Sequence, residues 1–386
     1  MEQPNTFSPN YAAAKRRFLQ AAKGVGAVLS SFPIQARGIH SEELTVDVAF
    51  LGASEPARSV VVSSGLHGVE GFFGSAIQTA WLESFARSGR HLPPGTAIVL
   101  IHALNPFGFA WRRRVNETNV DLNRNFLLTD ESFTGVPPEA ADLNWFINPA
   151  TPPPRFSLFL PQAVWLILRY GMRKLKAALT QGQYEFEYGL FFGGKQPEEE
   201  SALVQARFDA WVRSAPRVLH LDFHSGLGTF KECRLLSVEP AGSLRGLWLA
   251  ARFGPERVEA VGAGVTARST ARGSMGNWLN STLNGQGRTY AFLAPEFGTY
   301  SGIRVFEALR DENRVHCHAR HQAYERIKER LVEVFCPASR AWREAVVKKG
   351  LELIGRAIEV CQDKKWETSG MAEQVAAADG GRDHGS

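Results

Sequence analysis

Val60-Val61-Val62-Ser63-Ser64-Gly65-Leu66-His67-Gly68-Val69-Glu70-Gly71 opens on three β-branched apolar residues and closes on an imidazole and a carboxylate three positions apart. A continuous apolar run bounded by turn residues has no polar side to give to water, so the first part reads as a short strand buried on both faces. The second part puts reactive side chains directly after that strand. Runs of the same kind recur at 97–101, 218–223 and 290–294, while Leu44, Val46, Val48 and Phe50 alternate with more polar neighbours, as in a strand with one buried face. Helix-like segments such as 74–87 and 203–213 lie between them. The alternation predicts an α/β fold, a mixed, largely parallel twisted sheet with helices on both faces. In such folds ligands bind beyond the carboxyl ends of the strands.

The chain has 386 residues, 44% of them hydrophobic, enough for one large α/β domain or two smaller ones, and predicts a soluble globular protein. A formal net charge of +5 is spread through the sequence, which gives a mild bias towards anionic substrates and no indication of nucleic acid binding. Cys233, Cys317, Cys336 and Cys361 form no CxxC pair, so neither a disulfide framework nor a zinc knuckle is indicated, and a reducing, cytoplasmic setting is expected. Arg16-Arg17-Phe18-Leu19 resembles a twin-arginine export signal, but Lys23 interrupts the apolar stretch behind it. The bland reading is an amphipathic helix over 11–23, started at Ser8-Pro9. No apolar run approaches the roughly 20 residues needed to cross a bilayer.

Residues 144–200 break the alternation. Pro149, Pro152, Pro153 and Pro154 precede an apolar stretch at 156–170, with Arg169, Arg173, Lys174 and Lys176 at and after its end. The pattern predicts an inserted helical hairpin packed on the main core, its apolar face split by Pro161. A basic amphipathic helix can also lie on a membrane surface, here through 156–176. Residues 183–195 read as a loop near the site entrance, and 304–330 as one long polar helix closing the domain. On that helix His316, Cys317, His318 and His321 have spacings that could share a metal, and the polar surroundings favour a solvated face. The organisation expected is a catalytic domain at 1–340, a C-terminal helix at 341–361 and a disordered tail at 362–386.

HxxE alone is a weak signal, because a His beside a Glu is usually a surface or capping pair. Context strengthens it: Leu219-His220-Leu221-Asp222-Phe223-His224-Ser225-Gly226 again ends a buried strand on a histidine followed by small residues. Two His and one Glu with an open fourth position form the ligand set of a catalytic zinc site, where the ion lowers the pKa of water to about 7 and polarises a carbonyl. A third stretch runs Asn105-Pro106-Phe107-Gly108, Trp111-Arg112-Arg113-Arg114-Val115-Asn116 and Asn119-Val120-Asp121-Leu122-Asn123-Arg124-Asn125-Phe126. Arginines near a polarised carbonyl bind carboxylates and stabilise an oxyanion. A nucleophile elbow, a P-loop and a dinucleotide fingerprint are all missing from the sequence.

In this order, HxxE, NPxG, the arginine run with DLNRNF, the strand-end HSG and Pro295-Glu296-Phe297-Gly298-Thr299 resemble the zinc carboxypeptidase superfamily. That superfamily holds carboxypeptidase A and also deacylases of the succinylglutamate desuccinylase and aspartoacylase type. The likeness covers most of residues 7–335 and is greater to a bacterial branch with a domain of unknown function, whose members begin with a similar FSPxYxxA segment. It implies a zinc-carboxypeptidase-like fold and one zinc ion held by His67, Glu70 and His224, with Asp121 behind His67. It further implies Glu296 as general base, Arg114 as oxyanion donor with Arg112 and Arg113 as possible substitutes, and Asn123 with Arg124 on the substrate carboxylate. Tyr290 and Tyr300 are candidates for an assisting tyrosine. The pocket floor would fall near 269–288, with Arg268, Arg272, Asn277, Trp278 and Arg288 in or beside it. The activity implied is hydrolysis of an amide bond next to a carboxylate, in a small peptide or in an N-acyl amino acid. The alternatives are an N-acyl amino acid deacylase or esterase, and a non-catalytic zinc- or carboxylate-binding scaffold.

Overall fold

Eight strands, β1 (Val28–Arg37), β2 (Glu43–Gly52), β3 (Arg58–Ser64), β4 (Thr96–His102), β5 (Arg217–Ser225), β6 (Cys233–Pro240), β7 (Val258–Val261) and β8 (Thr289–Phe297), form one sheet. Their order is β1-β2-β4-β3-β5-β8-β6-β7. The computed structural model describes residues 6–154, 156–261, 271–318 and 324–363. Pairings β3–β4, β3–β5, β5–β8 and β6–β7 are parallel, and β1–β2, β2–β4 and β6–β8 are antiparallel. The parallel core is flanked by antiparallel strands, so the sheet is mixed as expected.

Twelve helices occur among the described residues: α1 (Tyr11–Gly24), α2 (Gly71–Ser88), α3 (Pro106–Ala110), α4 (Pro138–Asp142), α5 (Asn144–Ile147), α6 (Phe159–Thr180), α7 (Glu199–Trp211), α8 (Leu244–Phe253), α9 (Met275–Gly285), α10 (Gly302–His318), α11 (Tyr324–Phe335) and α12 (Arg340–Val360). None is long and apolar enough to cross a membrane. The central strands divide their side chains between two cores by the period-two rule. Val60, Val62, Leu219, Leu221, Ala291 and Leu293 pack with residues of α1, α2 and α12, including Phe18, Phe73 and Trp342. Val61, Val99, Val218, Tyr290 and Phe292 pack with residues of α7 and α9, including Phe208 and Leu279. A strand covered on both sides has no solvent-facing positions to fill with polar residues, which is why the runs of β3, β4 and β8 lack alternation.

The chain leaves β3 through α2 to β4 on one side, then returns to place β5 on the other side of β3. The loops after β3 and β5 therefore diverge, and a crevice opens at their carboxyl ends. This switch point sets where the reactive residues meet.

Several expectations change. Strand β1 goes unread because it alternates weakly, only Ile34 among its residues being buried. Strands β5 and β8 run further than the apolar runs suggest, so His224 and Glu296 lie within the strand ends and not after them. Pro161 stands in the first turn of α6, where no backbone N–H is needed; the break in that helix is at Gly171, with φ 77° and ψ 151°. The segment is thus two helical stretches joined at Gly171.

The single helix expected at 304–330 is two helices, α10 and α11, with 319–323 outside the described residues. Lys328 pairs with Glu312, sixteen positions apart and both buried. A straight helix would separate them by about 24 Å at 1.5 Å per residue, so the chain has to turn back. Nor is α10 solvated over 310–315. Glu312 also receives Arg113 Nε at 2.9 Å, and Arg314 donates to the Thr151 carbonyl at 2.6 Å, so its charges are buried in partnership. His316 is partly covered, and burial followed by the Arg113 charge pushes its pKa down to about 4. His321 and residues 364–386, where most of the expected tail falls, lie outside the described residues.

One buried carboxyl makes stability depend on pH. Glu200, in the first turn of α7, is 1% exposed, and burial together with the neighbouring Glu117 pushes its pKa up to about 8 from 4.5. A raised folded-state pKa means that the native chain holds a proton the unfolded chain releases, so stability is full below about pH 4.5 and is lost as pH rises to about 8. Glu200→Gln should then raise the melting temperature at pH 9, with a gain of a few kcal/mol that fades below about pH 5. Thermal unfolding of both proteins across that range measures it, and a pH-independent difference would refute the assignment.

Candidate metal centre

Gly65, at φ 69°, turns the chain out of β3, and His67 follows in extended backbone before the short 3-10 turn Gly68–Glu70 that leads into α2. The turn is seated on the NPFG segment. A Cβ on Gly68 would stand 2.2 Å from the Gly108 carbonyl carbon, so only glycine permits the approach. The backbone then bonds across, with Gly68 N donating to Arg114 O at 3.1 Å and Val69 N to Arg113 O at 2.7 Å. Asn105 caps α3 by accepting from Gly108 N at 2.7 Å. The two motifs form one packed corner that aims His67 and Glu70 into the crevice.

His67 Nδ1 lies 3.0 Å from Glu70 Oε1, and His224 Nδ1 lies 2.9 Å from Glu70 Oε2. The three side chains are buried, their ligand atoms fall within 4.8 Å of one another, and they are the one such group among the described residues. Burial alone would raise the Glu70 carboxyl, but His67 and His224 outweigh it and hold its pKa well down. Burial would lower His224, and Asp222 with Glu70 reverse this to about 10. Two imidazole nitrogens and a carboxylate converging from two strands fit a divalent metal that accepts nitrogen and oxygen ligands.

What stands behind the two histidines decides which nitrogen faces inward. Asp222 accepts from His224 Nε2 at 2.7 Å, which leaves Nδ1 as the inward-facing atom. Asp222 is itself held by Ser63, whose hydroxyl donates to Oδ1 at 2.5 Å. With its one proton so used, Ser63 accepts from His220 Nε2 at 2.7 Å, and His220 Nδ1 in turn accepts from the Tyr290 hydroxyl at 2.8 Å. Burial pushes the pKa of His220 down to about 4, so it is neutral, as this chain of bonds requires. On the other side His67 Nε2 lies 3.3 Å from Asp121 Oδ1, and Arg114 Nε donates to Asp121 Oδ2 at 3.0 Å. Burial would raise Asp121, yet Arg114 and His67 keep its pKa well below the carboxylate range. Arg114 Nη2 also stands 2.7 Å from His67 Nε2.

Sequence reasoning missed Asp222, Ser63 and His220. Strand parity could have found two of them, because His220, Asp222 and His224 share one face of β5 once it is read as a strand to Ser225.

Glu296 pairs in register with His224 across β5 and β8, and its Oε1 accepts from Leu227 N at 2.9 Å. The crevice is lined by His67, Arg114, Asn123, Arg124, His224 and Glu296, and by Ala271, Ser274, Asn277 and Phe292 among others. Arg114 is the arginine of its run that reaches the crevice. Arg113 is turned to Glu312 and Asn119, and Arg112 pairs with Glu325 at 2.7 Å. Asn123 accepts from Met275 N at 3.0 Å, and the Tyr184 hydroxyl donates to Arg124 O at 2.8 Å, which ties the 183–195 loop to the site. Neither suggested tyrosine lines the crevice: Tyr290 is buried on His220, and the Tyr300 hydroxyl bonds Glu333. Of the expected floor, Trp278 packs on Phe126, Arg272 sits over the Tyr184 ring, Arg288 pairs with Asp209, and Arg268 lies outside the described residues.

No match is found among curated proteins. Solved structures similar to this chain include carboxypeptidase A from Helicoverpa armigera, 12% identical over 84% of this chain and 73% of that one, with a TM-score of 0.44. Bovine thrombin-activatable fibrinolysis inhibitor is 13% identical over 89% of this chain and 98% of that one, at 0.43. A metallo-carboxypeptidase from Pseudomonas aeruginosa, in complex with (2-guanidinoethylmercapto)succinic acid, is 14% identical over 87% and 68%, at 0.38. A family model matches residues 7–349, nearly the whole described fold, and by that match the chain belongs to the family described as protein of unknown function (DUF2817).

Proposed function

We propose that this chain is a zinc-dependent hydrolase that cleaves an amide bond next to a carboxylate, in a small peptide or an N-acyl amino acid. The observation that supports this most is the convergence of His67, Glu70 and His224, with Glu296 beside His224 on the neighbouring strand. One zinc ion held by those three residues supplies Lewis-acid polarisation of the carbonyl and acidification of water. Glu296 takes a proton from the attacking water and delivers it to the leaving nitrogen. Arg114 lies close enough to Glu70, 3.6 Å from Nη1 to Oε1, to donate to an oxyanion formed at the crevice. Asn123 and Arg124 hold the substrate carboxylate, and Asp121 and Asp222 keep His67 and His224 oriented through their outer nitrogens. A second reading within the same chemistry is a deacylase acting on a small acyl amino acid; the insertion reaches the carboxylate-binding residues through the Tyr184 hydroxyl, which donates to the Arg124 carbonyl at 2.8 Å.

Purified protein should carry about one zinc per chain, lose activity on peptide and N-acyl amino acid panels with a chelator, and regain it with zinc. Turnover that ignores the chelator would remove the metal from the mechanism. Glu296→Gln should lower kcat by about 10²- to 10⁴-fold while zinc content stays constant, since the residue moves protons and holds no metal. Asp222→Asn should weaken zinc binding by about 10- to 100-fold, read by competition with a chromophoric chelator. An affinity equal to that of the wild type would show that Asp222 does not hold His224 in place.

A further inference from the structure

Helix α6 is apolar on two opposite sides. Phe159, Ala163 and Leu166 face the fold, where Phe159 stacks on Phe146 at 5.5 Å and packs against Phe306. Leu160, Val164 and Leu168, spaced four apart, make a second stripe that is exposed, Leu168 by 81%, with Trp165 beside it at 53%. Phe156, just before the helix, is 83% exposed. Exposed large side chains clustered in this way mark an interaction surface, since scattered single residues would be unremarkable.

The charge around that stripe indicates what it meets. From residue 143 to 184 there is no Asp or Glu, while Arg155, Arg169, Arg173, Lys174 and Lys176 are present. With 39 acidic residues in 386, about four would be expected in a stretch of that length. An apolar stripe bearing Trp and Leu, in a segment that is basic and acid-free, complements a surface that is apolar beneath and anionic above. We propose that α6 seats this protein on the surface of a bilayer containing anionic lipid, with Leu160, Val164, Trp165 and Leu168 among the acyl chains and Arg169 at the headgroups. The helix lies in the plane of the surface and does not span it. The inference is independent of the metal centre.

Co-sedimentation of the full chain with vesicles tests it. Phosphatidylcholine vesicles containing about one-third phosphatidylglycerol should retain at least about tenfold more protein than phosphatidylcholine alone, and about 0.5 M salt should release most of it. Leu160→Glu with Leu168→Glu should lower binding by about tenfold or more, while the circular dichroism spectrum and melting temperature stay those of the wild type, because both side chains are exposed. Spin-labelled lipid should quench tryptophan fluorescence of the unaltered chain, a readout that needs no variant. Equal, weak retention on both vesicle types would overturn the proposal. So would a dimer in sedimentation velocity that the double variant dissociates without any vesicle binding, since a second copy would then cover the stripe.

Discussion

The carboxylate of Glu70 accepts from two imidazoles that are 157 positions apart along the chain, His67 through one oxygen and His224 through the other. Bringing these groups together in a buried crevice costs desolvation that their pairing offsets, so the surrounding structure has to hold them in contact. The corner formed by Gly68 and Gly108 fixes one side of the contact, and the parallel register of β3 with β5 fixes the other. Were either to shift, Glu70 would lose one of the two imidazoles that offset its burial.

Behind that contact the same constraint propagates outward. A buried histidine needs a group on its outer nitrogen to set its tautomer, and the carboxylates that do this need partners in turn. Asp222 is satisfied by Ser63, Ser63 by His220, and His220 by Tyr290, so the series ends on a phenol deep in the core and not in water. Asp121 is satisfied by Arg114, a side chain that also reaches His67 and Glu70. A site built on charged groups thus sits at the ends of central strands packed between two apolar cores, because every charge in it has a hydrogen-bonding neighbour.

Away from the centre, the chain treats polarity in two opposite ways. Helix α10, rich in charge, is buried over 310–315, where Glu312 accepts from both Arg113 and Lys328. Helix α6, rich in apolar residues, keeps one side exposed. Composition read residue by residue therefore misjudged the first segment and did not separate the covered from the exposed apolar residues of the second. Whether a charge is solvated or paired, and whether an apolar face is covered, depends on elements distant in sequence.

The sequence by itself determined the alternation of buried strands and helices, since the apolar runs at 60–62, 97–101, 218–223 and 290–294 have to be covered on both faces. It also marked His67, Glu70, His224 and Glu296, because reactive residues at strand ends stand out against apolar runs. Only the tertiary structure decided that these four meet, that Arg114 and neither of its neighbours reaches them, and that Asp222, Ser63, His220 and Tyr290 stand in series behind His224. Those facts follow from strand order, register and the direction in which each loop leaves the sheet. They are set by packing between segments tens to more than a hundred residues apart, which leaves no local pattern in the chain to read.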